Sequence, residues 1–136
     1  MLFRSVRNAN TEARAGAMPR FGADGLLTQP QIGDVAEFVA SLSQREAPRD
    51  AAAARRGAQL FVENCAACHG DRGAGNQELG APNLSDGIWL YGGDRATLMQ
   101  SISNGRNGSM PAWSERLAPE TVKMLAVYVH SLGGGK

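Results

Sequence analysis

Five consecutive residues, Cys65-Ala66-Ala67-Cys68-His69, carry the strongest chemical signal in this 136-residue chain. Two thiols at that spacing on a helix end can each add across one vinyl group of a haem. The adjacent imidazole then lies under the iron as its proximal ligand. Two rival chemistries fit less well. A structural zinc site needs four ligands, and the chain has only two cysteines and one other histidine, His130. A thioredoxin-like thiol pair requires a βαβ context, and no strand pattern stands out. One covalent haem c is therefore the expected cofactor.

A haem held this way needs a second axial ligand for electron transfer, and Met110 is the candidate. Its thioether is a soft, neutral donor that raises the potential of a His-ligated haem. It follows the glycine-rich stretch 104–109 and precedes Pro111, off any helical pattern, whereas Met99 and Met124 fit helix faces and are expected in the core. An iron-bound His usually gives its other ring N–H to a carbonyl. Pro82, 13 residues past His69, is the expected acceptor, with Leu84 packing on the ring edge. Trp89, Tyr91, Arg95 and Arg106 are candidate donors to the haem propionates. His130 is expected to be exposed.

The elements that must position these groups are helical. Asp50 is placed to cap an Ala-rich helix to about Asn64, and Asp94 to cap another through Leu98 and Ile102 that stops at Gly105. The glycine-rich stretch between His69 and Gly93 leaves little room for regular structure. The chain also repeats itself. Met18-Pro19-Arg20-Phe21 recurs as Met110-Pro111-Ala112-Trp113. Ile32, Val35, Phe38, Val39 and Leu42 answer to Val122, Leu125, Tyr128, Val129 and Leu132, at a constant offset of 90. Each set marks one face of an amphipathic helix. Thr28 and Gln31 suit a capping box for the first copy, and Pro119 and Glu120 suit the opening turn of the second. Gly57, a glycine costing about 1 kcal/mol inside a helix, is explained by a close helix crossing, with Tyr128 over it and Phe61 one turn on.

This organisation predicts an all-α chain in two parts. Residues 1–48 are the C-terminal remnant of a first domain plus a polar linker, and residues 49–136 are a complete haem-binding domain. The stripe on the first copy has lost its own partner helix. Since the second domain has a matching helix of its own, that stripe is expected to dock on an outer face or to self-associate, with Met18 bound to no iron. With 14 basic and 13 acidic residues, no basic face argues for nucleic acid. From residue 50 onward the count is eight against eight. Two cysteines exclude a disulfide scaffold, and no apolar run approaches a membrane span of about 20 residues. The N-terminus lacks a signal-peptide core. Haem c is normally attached outside the cytoplasm, so the chain reads as a piece of a longer, exported polypeptide.

Gly57/Phe61, Cys65–His69, Ala81-Pro82-Asn83-Leu84, Met110-Pro111 and Tyr128 together resemble the class I cytochrome c fold. The stretches 80–93, 110–113 and 125–135 narrow the likeness to the second haem domain of subunit III of cbb3-type cytochrome c oxidases. The resemblance runs from about residue 5 to 135, and residues 17–22 are similar to the end of that subunit's first haem domain. It implies electron relay, without catalysis of its own, from a donor cytochrome c toward the oxygen-reducing subunit. The implied partners are the other oxidase subunits, and the implied place is the periplasmic side of the inner membrane. The family's membrane anchor and first haem motif have no counterpart in these residues, so one haem and the membrane tether are not carried over from the resemblance. A free-standing periplasmic monohaem cytochrome is the alternative, and a haem sensor or peroxidase-like protein with an open iron is a third.

Overall fold

The computed structural model describes residues 16–43, 47–108 and 113–134. Met110 and the turn around it lie outside these residues. The chain divides into two compact units, one of Gly16–Asn107 and one that includes the described residues from 108 onward. The expected boundary after residue 48 therefore does not separate the units, because residues 16–43 share one core with residues 47–107.

In the first unit, α1 (Gln29–Leu42), α2 (Ala51–Asn64), the short α3 (Ala66–His69) and α4 (Arg95–Asn104) follow in order. The only strands among the described residues are a two-residue pair, β1 (Gly16–Ala17) against β2 (Asn107–Gly108). Each main helix begins where its side chains can satisfy orphan N–H groups. Gln31 Oε1 accepts the Thr28 N–H at 2.9 Å, and the Thr28 hydroxyl accepts the Gln31 N–H in return, completing the capping box. Asp50 Oδ1 accepts the N–H groups of Ala52 and Ala53 at 2.8 and 3.0 Å, and the Ala53 bond leads in holding that carboxyl below its ordinary range. Asp94 caps α4 through the Thr97 hydroxyl at 2.6 Å and the Thr97 N–H at 3.0 Å, which lower its pKa likewise. Both shifts are downward, so both caps contribute above the ordinary carboxylate pKa and fade as pH falls through the lowered value.

The far end of α4 is closed by the chain that leads into α1. The last carbonyls of a helix lack partners within it. Here Phe21 N–H donates to the Ile102 carbonyl at 3.1 Å, and Gly22 and Ala23 donate to Ser103 at 3.1 and 3.0 Å. Met18 N–H donates to the Arg106 carbonyl at 2.8 Å just beyond. Phe21 and Leu27 then turn inward to join the core of Ile32, Val35, Ala36, Val39, Phe61, Leu98 and Ile102.

The close crossing foreseen at Gly57 is present, but its partner is α1. A Cβ at Gly57 would collide with the backbone carbonyl of Asp34. Phe61 is fully buried, with the Phe38 ring edge-on at a centroid distance of 5.2 Å. Phe38 thus stands where Tyr128 was expected, and the α1 stripe packs into the core against α2 rather than on an outer face. The flank of the helix gives the physical reason. Arg56 grips the Asp34 carboxylate with two bonds, Nε–Oδ2 at 2.7 Å and Nη2–Oδ1 at 2.8 Å. Arg95 Nε reaches Glu37 Oε1 at 2.6 Å, and Glu37 is only 6% exposed. At an offset of 90 the later copy has Met124 and Val127, which can form neither pair.

The second unit contains α5 (Pro119–Val129), continued by a π-helical turn over His130–Gly134. Pro119 and Glu120 open it as expected. Only Val122 and Ala126 are buried on α5, while Met124, Leu125, Tyr128 and Val129, together with Leu132 in the following turn, are exposed. The core places expected for Leu125, Tyr128, Val129, Leu132 and Met124 are therefore not found. His130 is exposed, as its helix position suggested. No described helix is long and apolar enough to cross a membrane.

Two substitutions test this crossing. Gly57→Ala gains helix propensity but drives a methyl into the α1 backbone, so urea unfolding is expected to show a net loss of about 1–3 kcal/mol. Arg95→Ala strands a buried carboxylate and is expected to cost about 2 kcal/mol, a buried-pair value reduced because Arg95 is half-exposed. Glu37→Gln leaves only a solvated guanidinium and is expected to cost less than about 1 kcal/mol; equal losses in the two variants would refute the asymmetry.

Candidate cofactor-attachment site

The site grows out of the end of α2. Cys65 closes that helix, its N–H donating to the Phe61 carbonyl at 2.8 Å. The next turn, α3, reuses the Cys65 carbonyl, which accepts from Cys68 and His69 N–H at 3.1 and 2.9 Å. A single helical turn thereby fixes both thiols and the imidazole within five residues. Cys65 is buried in the core and Cys68 is exposed; both are free thiols. Burial pushes the Cys65 thiol up to about 11, with the neighbouring Cys68 adding to the rise.

His69 is buried, and its Nδ1 lies 3.0 Å from the Pro82 carbonyl oxygen. A carbonyl can only accept, so Nδ1 carries the proton and donates it. Nε2 then keeps its lone pair, the state in which an imidazole binds a metal. The loop that returns Pro82 to His69 is held by its own backbone. Gly75 N–H donates to the His69 carbonyl at 2.7 Å, Asn76 and Ala81 exchange bonds at 2.9 Å, and Leu84 N–H donates to Gly73 at 2.6 Å. Gly75 has φ +82°, and a Cβ there would fall 2.8 Å from the Pro82 carbonyl carbon. Glycine is required at that position for both reasons. Leu84 is half-buried against the core.

The candidate propionate donors separate into three cases. Trp89 packs against the core over Gly93, and its Nε1–H is buried with no partner among the described residues. An orphaned buried donor is costly, and a haem carboxylate is the kind of acceptor that would satisfy it. Tyr91 is exposed, with the Arg106 guanidinium 3.9 Å above its ring; Arg106 Nε also donates to Ser101 Oγ at 3.0 Å. These two are together, in a cation–π pair. Arg95 is committed elsewhere, to Glu37 and to Met99 Sδ at 3.3 Å, and is not free to meet a propionate. The pairs Asp34–Arg56 and Glu37–Arg95 were not foreseen. The signal available was two acids three residues apart, flanking one apolar stripe.

Among the described residues no three His, Cys, Asp or Glu side chains gather as metal ligands. Cys65, Cys68 and His69 are offered in sequence along one turn, and Trp89 Nε1–H is a buried donor without a partner among the described residues, which together fit a flat group tied at several points.

Comparison with known proteins gives the same answer from outside the structure. The family "Cytochrome C oxidase, cbb3-type, subunit III" matches residues 52–129. The chain is 55% identical over 131 residues to the cbb3-type cytochrome c oxidase subunit FixP of Azorhizobium caulinodans, covering 96% of this chain and 44% of that protein. It is 56% identical over 137 residues to FixP of a Bradyrhizobium species (99% and 46%) and 52% identical over 132 residues to CcoP of Cereibacter sphaeroides (96% and 45%). The chain spans a little under half the length of these relatives. Joined to the helical fold and the ordered Cys–Cys–His turn, these matches establish that the chain belongs to the cbb3-type cytochrome c oxidase subunit III family.

Proposed function

We propose that this chain is an electron carrier holding one haem c, with thioethers at Cys65 and Cys68 and His69 as iron ligand. The observation that carries the reading is the 3.0 Å bond from His69 Nδ1 to the Pro82 carbonyl. It fixes the tautomer and the ring plane beside two free thiols. When bound, the haem supplies a one-electron redox centre. The chain's own work is to fix and shield it. The α3 turn spaces the attachment points, Pro82 orients the imidazole, and Leu84 covers apolar surface. Trp89 Nε1–H, and the Arg106 guanidinium beside Tyr91, supply donors for the propionates. Met110 would supply the second iron ligand through its thioether. A thioether there leaves no open position for gas or substrate, which favours carriage over sensing or peroxidase chemistry.

Membership of the cbb3-type subunit III family supports a role for this carrier in electron delivery to such an oxidase. Electrons arrive from a donor cytochrome c and pass toward the oxygen-reducing subunit, and the other oxidase subunits are its partners. Covalent haem attachment, which is normally made outside the cytoplasm, and membership of an oxidase-subunit family favour the periplasmic side of the inner membrane.

Haem stain on a denaturing gel tests attachment: the haem is expected to stay with the wild-type chain and to become extractable after joint Cys65→Ala and Cys68→Ala. Haem lost from the wild type into acid acetone would overturn the assignment. The haem-free chain offers a second check. At about pH 8 the buried Cys65, with its pKa near 11, is thiolate in roughly one part in a thousand, so iodoacetamide is expected to label Cys68 first. Rapid, complete carbon monoxide binding by the ferrous wild type would favour the open-iron alternative.

A further inference from the structure

His69 is held twice by one small clasp, once through its backbone and once through its ring. Gly75 N–H donates to the His69 carbonyl at 2.7 Å, and His69 Nδ1–H donates to the Pro82 carbonyl at 3.0 Å. The two arms of the clasp, 73–76 and 81–84, are joined by the reciprocal Asn76–Ala81 bonds at 2.9 Å and by Leu84 N–H on Gly73 at 2.6 Å. Between the arms, Asn76 Oδ1 turns the chain by accepting the Glu78 and Leu79 N–H groups at 2.9 and 3.3 Å. No side chain stands where the arms meet. A Cβ at Gly75 would lie 2.7 Å from Asn83 N, 2.8 Å from the Ala81 carbonyl oxygen and 2.8 Å from the Pro82 carbonyl carbon. All three are backbone atoms, so the arm that carries Pro82 would have to move. The other glycines of the loop share the backbone sign but not this contact. Gly70, at φ +76°, would bring its Cβ no nearer than 4.0 Å to Ala74 N. Gly73, at φ +69°, would first meet the flexible end of Leu42, Cδ1 at 2.9 Å.

We infer that Gly75 is a positioning residue for the proximal histidine: by letting the Pro82 arm close to backbone contact, it sets the strength of the His69–Pro82 bond and through it the haem potential. The inference rests on the haem reading above and adds to it the residue that tunes the iron from outside the ligand set. A ligand imidazole that donates its other N–H to a carbonyl is the more basic for it. A more basic ligand favours ferric over ferrous iron. Pushing the Pro82 carbonyl away weakens that donation, so the potential rises. The effect passes through backbone geometry alone, since glycine brings no group of its own to the site.

The test is a redox titration of the full holo chain followed in the visible spectrum, with haem stain on the same samples. Gly75→Ala is expected to keep its covalent haem and to titrate at a higher midpoint potential than wild type. Gly70→Ala and Gly73→Ala carry the same kind of left-handed backbone strain and are expected to titrate at the wild-type midpoint. Gly75→Asn adds the same Cβ in a residue that tolerates left-handed backbone. It is expected to show the upward shift where the alanine variant folds poorly. The inference is overturned if the Gly75 variants titrate with the wild type, or if the Gly70 and Gly73 variants shift as far as they do. Loss of haem stain in both Gly75 variants also overturns it, since Gly75 is then a requirement for attachment and not for tuning. A wild-type chain without haem stain is a different failure, that of the attachment reading itself.

Discussion

The approach of the α1 backbone to Gly57 is the constraint on which the rest of the first unit depends. With no side chain at that position, the Asp34 carbonyl can lie against α2, and the two helices meet at backbone distance. That depth brings Phe38 edge-on to Phe61 and buries Ile32, Val35, Ala36 and Val39 completely or nearly so. Burial of such side chains stabilises by about 25 cal/mol per Å² of apolar surface. A wider crossing would leave part of that surface wet. Because Phe61 also accepts the Cys65 N–H at its carbonyl, the packing at Gly57 and the start of the attachment turn belong to one rigid piece.

Apolar contact alone does not choose between two helices of the same periodicity. Both copies present a stripe that could cover Gly57 and Phe61, and hydrophobic attraction is non-directional. The choice falls to two carboxylates. Asp34 is gripped bidentately by Arg56, and Glu37 is drawn below the surface by Arg95. A buried ion pair is weak evidence for stability, since desolvation offsets much of the Coulomb gain. It is better evidence for register, because a helix lacking the acids would leave Arg56 without its partner and open a gap where Glu37 fits. The cost of specificity is then small and its effect large.

The site inherits its order from this framework. The Pro82 carbonyl fixes the ring plane of His69; in the proposed haem site this would limit the reorganisation that accompanies electron transfer. The loop from Gly70 to Leu84 has no regular structure except the Asn76–Ala81 bridge. It is nonetheless determined, because its N–H groups close onto His69, Gly70 and Gly73. Trp89 is the one buried donor here without a partner among the described residues. That makes it the point at which the protein's own hydrogen bonding is incomplete and a carboxylate would complete it.

The sequence by itself determined what depends on neighbours within a few residues. The Cys65–His69 turn, the caps at Thr28, Asp50 and Asp94, the stop at Gly105 and the helical class all follow from short-range chemistry, and so does the need for a close crossing at Gly57. The carbonyl at Pro82 was also legible, since a ligand histidine needs an acceptor and the loop length suits it. Only the tertiary structure decided which helix crosses. Periodicity gives a helix its apolar face but not its partner, and two copies at an offset of 90 present nearly the same face. The selection was made by Asp34 and Glu37 finding Arg56 and Arg95, one 22 and the other 58 residues away, and an ion pair across such separations leaves no periodic trace in the chain. For the same reason Arg95 looked like a propionate donor until Glu37 was seen beside it.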